Sequence, residues 1–496
     1  MIRSKAIDII LKLKNKERIE FSDFLNSPYF NRKKKIIEMY GIILKNISKL
    51  DDPEIKEEII FRNLFDKDKF SYSSVRNLMS ELLQLSEMFL VMNGIKMKTT
   101  DDAIYDRLLL KEYNSRFLDK LFNIKSKKIS QEYRKRKSDQ EYFDFMGRFE
   151  GENIAFHLYR SAMRNVPEHL ISKTEYDLCY ILHLLESDIS DLNVNSASFN
   201  LNLDKEAMPE FVYCINFISI LELIKNTESP LKKEIEIRIR LILLSVNKED
   251  TENYFILKNL IYENIESYRN SEKSNLFIKL KNYCAYRIYN GDKGFYEEKY
   301  WLFKKELENV RYNSEGVGPL YVNIYLEIIQ KAVLEKEILY AKKIIKEFTC
   351  ELEESKRDSL YNIANAVLEF SSGNYEKTLW FLSRVETTTM LIKNSSKLLY
   401  LKTFYEMNSL ETGLSMLDSY IHYLNETKEL TPNRKKILKI NYDILRKLYK
   451  IKYTPEKYSD SDLDHLISEI KNSDVYYSDW YNEKISELKN IVKKNK

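Results

Sequence analysis

The chain has 496 residues, of which 44% are apolar and 31% are charged, so its composition is that of a folded protein rather than a disordered one. Only 10 Gly and 8 Pro occur, and their scarcity favours an all-helical chain, because both residues break helices and populate the turns of β-sheet proteins. The formal net charge of +4 is nearly balanced for this length, which argues against a protein that is basic throughout.

The four cysteines and the apolar runs are those expected of a cytoplasmic protein that binds no metal or other cofactor. No two cysteines form a C-x-x-C motif, so we expect reduced thiols and neither a metal nor a cofactor. The first 21 residues carry Asp8 within their only apolar run, and the longest apolar run, residues 211–224, is interrupted by Asn216 and Glu222. The sequence therefore predicts a cytoplasmic protein without a signal peptide or a membrane span.

The first part of the chain, residues 1–96, is predicted to be a compact helical unit. Its apolar residues follow the three- and four-residue spacing of one buried face over Tyr72–Met92, which predicts a helix that Gly94 should end. In the segment Ser27–Asn31 the proline disfavours a helical residue before it. We expect a structural corner there, with the tyrosine and phenylalanine of this segment filling the gap between two helices.

The middle part, residues 97–315, is predicted to be a run of helices with a basic stretch near its start. Between Asp119 and Asp139 lie eight basic residues against three acidic ones, a larger positive charge than that of the whole chain. A solvated helix face explains this run, and nucleic-acid binding through phosphate contacts is the alternative function it suggests. The residues that would make those contacts are Lys127, Lys128, Arg134, Lys135, Arg136 and Lys137.

A further alternative is an enzyme with a site in residues 140–185, where ionisable side chains are concentrated. Cys179 and His183 stand four positions apart on a predicted helix, so they could face one metal ion, but no second pair of ligands accompanies them. A buried thiol beside a hydrogen-bonded histidine is the simpler interpretation, and without a distinctive cluster we predict a non-catalytic protein. The candidate residues are Glu152, His157, Glu168, His169, Cys179 and His183.

The third part, residues 316–496, carries one helix–turn–helix pattern more than once. Gly373-Asn374-Tyr375 and Asn408-Ser409-Leu410 lie in equivalent turns 35 positions apart, and a period of this length is typical of stacked helical arrays. The two helices of each repeat must cross closely, which favours a small residue on each helix. The residues expected at these crossings are Ala341, Ala364, Thr378, Leu401 and Gly413.

Two resemblances follow from these segments. Residues 361–385 and 398–420 resemble tetratricopeptide repeats, although Thr378 and Leu401 depart from the usual pattern and the closing proline is missing. Most of the chain is similar to an uncharacterised family of long helical bacterial proteins, a resemblance that implies no activity. The segments that carry it are Phe21–Asn31, Phe61–Phe65, Val75–Leu83 and Trp480-Tyr481 in the last helix.

The expected fold class is therefore all-α, an α-solenoid of antiparallel helix pairs that is tetratricopeptide-like in its last third. Stacked pairs leave a concave groove in which shallow contacts over many residues add together. The leading hypothesis is a non-catalytic scaffold that binds a protein or peptide partner in that groove. The first helices of the repeats would supply the contacts, through Asn362, Asn365, Lys397 and Tyr400. The partner's identity and the oligomeric state stay open.

Overall fold

The computed structural model describes residues 4–47, 64, 72–97, 103–133, 135–199, 211–212, 214–314, 316–387, 389–426, 432–471 and 478–494. Over these residues the protein is all-α, with 22 α-helices and no β-strand, so the predicted fold class is confirmed at this level. Of the helices described, none combines the length and the hydropathy that crossing a lipid bilayer requires.

The chain divides into two compact units, one of residues 1–136 and 143–177 and the other of residues 137–142 and 178–496. The helices are α1 Lys5–Lys12, α2 Asn15–Asn26, α3 Lys34–Lys45, α4 Tyr72–Met97, α5 Ala103–Ser115, α6 Asp119–Tyr133, α7 Gln140–Tyr159, α8 Val166–Phe199, α9 Phe217–Lys225, α10 Lys232–Val246, α11 Thr251–Asn264, α12 Asn270–Tyr289, α13 Phe295–Asn309, α14 Val322–Leu334, α15 Ile338–Phe348, α16 Glu354–Ser371, α17 Tyr375–Leu382, α18 Met390–Glu406, α19 Leu410–Glu426, α20 Pro432–Tyr453, α21 Asp460–Lys471 and α22 Ser478–Lys494.

The predicted boundaries after residues 96 and 315 each fall inside one of these units, and the three-part division stays a prediction. The chain just beyond residue 315 belongs to a core of the second unit. Val317 and Leu320 are buried in that core, and the N–H of Leu320 donates to the carbonyl of Glu351 at 2.8 Å.

The first unit is built on a core formed by α1 to α4, in which Phe21 meets Tyr40 and Phe89 with ring centroids 5.0 Å apart. The predicted apolar stripe of α4 is buried or half-buried as far as Phe89, but Met92, predicted on the same face, is exposed, and the helix continues through Gly94 to Met97. A glycine inside a helix costs about 1 kcal/mol relative to alanine, which is too little by itself to end a helix.

The corner at Ser27–Asn31 is present, but the side chains that pack in it are not all the predicted ones. Tyr29 is 86% exposed, so the prediction that it fills the gap between two helices is wrong. Phe30, by contrast, stacks on Phe24 with ring centroids 4.2 Å apart. Asn31 is buried instead, and its amide donates to the carbonyl of Leu25 at 2.9 Å. A buried asparagine can close a corner because its amide satisfies backbone groups that the turn leaves unpaired.

Six helix ends in the described part of the chain share one turn. In each, a residue with positive φ follows the helix, and the N–H after it donates to the carbonyl five positions earlier at 2.7 to 3.0 Å, which is the bond of a Schellman motif. The pairs α5/α6, α12/α13, α14/α15, α16/α17 and α18/α19, which such turns connect, pack directly against each other. The positive-φ residues are Phe117, Ser161, Gly291, Lys336, Gly373 and Asn408.

The second unit contains two main cores, one extending from α10 to α18 and the other from α18 to α22. From α14 to α18 the packing is regular. The helix α14 contacts α15 and α16, α15 contacts α16, α16 contacts α17 and α18, and α17 contacts α18. Each hairpin of this stretch therefore buries its apolar side against the next hairpin along the chain.

All five residues predicted at the helix crossings are buried. At Gly413 of α19 the reason is steric, because a Cβ atom there would lie 2.3 Å from the ring of Tyr449 on α20. The hydroxyl of Tyr449 donates to the carbonyl of Leu401 on α18. One tyrosine thus holds three consecutive helices together, and it needs a glycine to do so.

Candidate partner-binding groove

A cavity of about 740 Å³ opens between α18 and α19 in the second unit. One wall is formed by Lys393 and Lys397 of α18, which stand one helical turn apart. The other wall comes from α19, where the lining residues recur at three- and four-residue spacing and so share one helix face. They are Glu411, Thr412, Ser415, Met416, Ser419, Tyr420 and Tyr423.

The packing of α19 decides which of its residues reach the groove. Gly413, Leu417, Tyr420 and Leu424 of this helix are buried. The exposed hydroxyl residues of the lining lie beside this apolar stripe, so they border the cavity without entering the core. On α18, the hydroxyl of the preceding Thr389 accepts from the N–H of Ile392 and caps the helix, which places Lys393 in its first turn.

Tyrosine side chains form the aromatic part of the groove. The ammonium of Lys393 lies 3.4 Å from the ring centroid of Tyr423, a cation–π contact. The hydroxyl of Tyr420 donates to Oδ1 of Asn394 at 3.4 Å, and the same oxygen accepts from Tyr442 at 2.9 Å. Burial raises the pKa of Tyr420 to about 12, so its hydroxyl stays protonated at neutral pH.

The lining is polar on both walls of the groove. It offers two ammonium groups on one wall and the hydroxyls of Thr412, Ser415 and Ser419 on the other, and its nine residues include neither histidine nor cysteine. Its one carboxylate, that of Glu411, accepts from the hydroxyl of Tyr453 at 3.2 Å. The groove can therefore bind a polar, acidic chain through hydrogen bonds and charge.

The structure brings one of the four predicted partner-binding residues to this groove, namely Lys397. Asn362 and Asn365 lie half-buried on α16, where the amide of Asn365 donates to the carbonyl four residues earlier at 2.8 Å. Tyr400 packs against the first core of the unit, with its ring centroid 6.0 Å from that of Phe404. These three residues lie outside the lining, and their role in binding stays a prediction.

Sequence reasoning missed the hydroxyl residues of α19 because it placed the contacts on the first helix of each repeat. The spacing of Thr412, Ser415 and Ser419 was nevertheless visible, since positions separated by three and four residues share a helix face. A polar stripe of small residues beside an apolar stripe was the signal that could have found this wall.

The basic run of residues 127–137 makes mostly local contacts. Lys128 and Lys137 lie 3.6 and 3.5 Å from glutamate oxygens, and the guanidinium of Arg136 lies 3.9 Å from the ring centroid of Tyr133. These contacts neither require nor forbid nucleic acid, so the alternative stays a prediction. Lys127 and Lys135 are exposed, and Arg134 lies outside the described residues.

Within residues 140–185, two histidines and a glutamate come together in the first unit. Nδ1 of His169 lies 2.6 Å from Oε2 of Glu150, and the rings of His157 and His169 have centroids 5.4 Å apart. The hydrogen bond to Glu150 raises the pKa of His169, whereas burial, and then the charge of His169, lowers the pKa of His157. Burial also raises the pKa of the nearby Glu152.

The other candidate residues of this region do not join this group. Glu168 is exposed, and Cys179 is fully buried. His183 is also buried, with Nε2 2.8 Å from Oε1 of Glu234 on α10. Across the residues that the structure describes, no group of three or more His, Cys, Asp or Glu side chains is arranged to hold a metal ion.

His183 belongs to a buried ionic network that the sequence did not reveal. At its centre the guanidinium of Arg238 lies fully buried, 2.7 Å from Glu234, 2.6 Å from Glu272 and 3.8 Å from Glu186. The hydroxyl of Tyr268 also donates to Glu234, at 2.5 Å. These groups come from α8, α10, the first turn of α12 and the segment just before it, so the network joins helices that are distant in sequence.

Comparisons of the chain with protein-family models, curated proteins and solved structures found no match. The resemblances to tetratricopeptide repeats and to a family of helical bacterial proteins therefore stay predictions from the residues that suggested them.

Proposed function

We propose that this protein is a non-catalytic scaffold whose hairpins form a tetratricopeptide-like α-solenoid, and that the groove between α18 and α19 binds an acidic segment of a protein partner. The observation that carries the proposal is the 740 Å³ cavity in which two lysines face a helix with three exposed hydroxyl residues. The ammonium and hydroxyl groups of this lining can donate hydrogen bonds to a partner.

The repeated turn supports the solenoid part of the proposal. Lys336, Gly373 and Asn408 occupy the same position of the same motif in three successive hairpins, at intervals of 37 and 35 residues. The helices between them contact their neighbours in sequence, and α14, α16 and α18, the first helices of successive hairpins, also contact each other in order. A repeating unit that packs on its successor is the defining property of a solenoid.

The charge of the groove supports an acidic partner. Lys393 and Lys397 would pair with carboxylates of the partner, while the α19 hydroxyls could hydrogen-bond to its backbone. A basic segment would meet the same two ammonium groups and be repelled. The one carboxylate of the lining, that of Glu411, is outnumbered by these two ammonium groups.

Affinity purification from native cells, followed by chemical cross-linking, tests whether the groove is used. In Ser419→Trp the indole should fill the cavity, and we expect a cross-linked partner of the wild-type protein to be lost. Ser486→Trp is the matched control, since both serines are exposed and each hydroxyl donates to the carbonyl four residues earlier at 2.9 Å. Recovery of the same partners with Ser419→Trp would exclude the groove.

The charge of the partner is tested with the segment that cross-links. Lys393→Glu combined with Lys397→Glu should weaken its binding, measured by fluorescence anisotropy, by at least about tenfold, or about 1.4 kcal/mol. Lys342→Glu, at an exposed position of α15, should leave the affinity unchanged. An affinity that the double variant does not alter would contradict an acidic partner.

The two alternative functions can be distinguished simply. Retention on heparin that is lost when Arg134, Arg136 and Lys137 are all changed to Glu would favour nucleic-acid binding over the scaffold. Stoichiometric metal in the purified protein would favour an enzyme with its site in residues 140–185.

A further inference from the structure

A second cavity, of about 320 Å³, lies in the second unit where three segments of the chain meet. We propose that it binds a small phosphate-bearing anion, such as a pyrophosphate or a phosphate monoester. This inference is independent of the partner-binding groove. The side chains that matter for it are Lys137, Glu266, Asn270, Lys273, Glu308 and Arg311, all of which line the cavity.

The segment that carries Lys137 is held in place by backbone contacts. The N–H of Ser138 donates to the carbonyl of Ser267 at 2.9 Å, and the N–H of Arg269 donates back to the carbonyl of Ser138 at 3.3 Å. An ion pair of 2.9 Å between Arg269 and Asp139 supports the same contact. Lys137 therefore enters the cavity from a fixed piece of backbone and not from a free loop.

The backbone of Arg311 is clamped by one asparagine. Oδ1 of Asn270 accepts from the N–H of Arg311 at 2.8 Å, and its Nδ2 donates to the carbonyl of Arg311 at 2.6 Å. The side chain of Arg311 is exposed, and no carboxylate of the described residues lies within ion-pair distance of it. The clamp thus presents an uncompensated guanidinium beside the first turn of α12.

The charges around the cavity do not cancel. Lys273 is buried with its ammonium 3.1 Å from Glu266, and Lys137 lies 3.5 Å from the other oxygen of the same carboxylate. The hydrogen bond from Lys273 lowers the pKa of Glu266, so this carboxylate is charged but serves two lysines. Glu308 pairs with Lys305 at 2.6 Å. The lining therefore holds three cations, those of Lys137, Lys273 and Arg311, against two carboxylates, which leaves one surplus positive charge.

This surplus, its geometry and the size of the cavity favour a phosphate-type ligand. Arginine presents a planar fork of donors to two phosphate oxygens, lysine adds a point charge, and the N-terminal end of a long helix favours an anion nearby. A volume of 320 Å³ is at the lower end of the range, about 300–1,000 Å³, for small-molecule sites. The cavity accommodates an anionic head with a small organic group.

Isothermal titration of the full-length protein with pyrophosphate, at constant ionic strength, tests the proposal. We expect saturable binding that is at least tenfold weaker in Arg311→Gln. Arg384→Gln is the control, since Arg384 is also exposed and its guanidinium lies 3.4 Å from the ring centroid of Trp380, away from this cavity. Inorganic phosphate should bind more weakly than pyrophosphate, because it offers fewer oxygens to the same donors.

Two further results decide the matter. Arg311→Lys, which keeps the charge and loses the fork, should bind pyrophosphate with intermediate affinity, and both variants should melt at the wild-type temperature because Asn270 contacts only the backbone of Arg311. Absence of saturable binding, or equal affinity in Arg311→Gln and the wild type, would overturn the proposal. So would a single-stranded DNA oligonucleotide that binds more tightly than pyrophosphate and also requires Arg311, since the site would then serve a nucleic-acid strand.

Discussion

The contact between Gly413 and Tyr449 is possible because residue 413 has no side chain. Sequence reasoning predicted a small residue at position 413 from the repeat alone, and its burial confirms that prediction. The partner could not be predicted, because Tyr449 stands on α20 and nothing in the local sequence distinguishes it from the 35 other tyrosines. Because tyrosine is abundant throughout this chain, its frequency gives no indication of which tyrosine makes a structural contact.

Gly413→Ala should destabilise the second unit. Its Cβ would lie 2.3 Å from the tyrosine ring, so Tyr449 must move and lose its bond to Leu401. We expect a cost of about 1–3 kcal/mol, the usual range for overpacking, measured as the free energy of unfolding in urea.

A second helical glycine provides the control for this prediction. A Cβ atom added at Gly41 of α3 would have no neighbour within 4 Å among the residues that the structure describes, so Gly41→Ala should stabilise the first unit by about 0.5–1 kcal/mol. Equal effects of the two substitutions would mean that helix propensity, and not the contact with Tyr449, governs position 413.

At the scale of the elements, the helices follow from periodicity, but their ends do not. The apolar stripe of α4 was predicted over most of its length, whereas its predicted end was wrong because one glycine costs too little to stop a helix by itself. Four of the six shared turns place a residue other than glycine at positive φ, namely Phe117, Ser161, Lys336 and Asn408. Without the glycine signal, most of these turns could not be recognised from local sequence.

Lys336→Gly should stabilise the protein. Lys336 has a φ of 59° and is exposed, so glycine would remove the clash between Cβ and the backbone without loss of packing. We expect a gain of about 0.5–1 kcal/mol in the free energy of unfolding.

The matched variant for Lys336→Gly is Lys342→Gly, at an exposed position inside α15. Here glycine should lower the free energy of unfolding by about 1 kcal/mol, because it increases the conformational entropy of the unfolded chain and relieves no strain in the helix. If both variants were destabilised alike, the left-handed turn would carry no strain that glycine relieves.

At the scale of the whole molecule, the buried network around Arg238 connects helices of the second unit that are far apart in sequence. Glu186, Glu234 and Glu272 surround one guanidinium, and a buried charge is tolerated only when it is paired and hydrogen-bonded. The spacing of residues in the sequence did not predict this network, because its members become neighbours only when α8, α10 and α12 pack together.

Arg238→Met should destabilise the second unit by about 3–5 kcal/mol, because it leaves the buried Glu234 and Glu272 without the guanidinium that pairs with them. Combining it with Glu234→Gln and Glu272→Gln should recover a large part of this loss, since the buried negative charges are then removed as well. Denaturation in urea measures both effects. A triple variant as unstable as Arg238→Met would show that packing of the arginine stem, and not charge, explains the loss.

The same network predicts how stability depends on pH. Burial alone would raise the pKa of Glu234, but the charge of Arg238 and the hydrogen bonds from His183 and Tyr268 lower it to about 2 from an ordinary 4.5. Because the folded-state pKa is the lower one, this contribution to stability is present above the ordinary pKa and is lost as pH falls through 4.5 towards 2.

The free energy of unfolding of the wild type should therefore decrease steeply between about pH 5 and pH 2. In Glu234→Gln the decrease should be shallower, though not absent, because the charge of Arg238 also lowers the pKa of Glu272 against the effect of burial. Identical pH profiles for the two proteins would contradict the assignment of a depressed pKa to Glu234.

The amino-acid sequence by itself determined the all-α class, the buried faces of the longer helices and the hairpin period near residues 373 and 408, because these depend on spacing along one helix or on the scarcity of helix breakers. Only the tertiary structure decided the groove between α18 and α19, the cavity at Arg311 and the network at Arg238. Each of these needs side chains from separate helices within a few ångströms, and such distances are set when the helices pack.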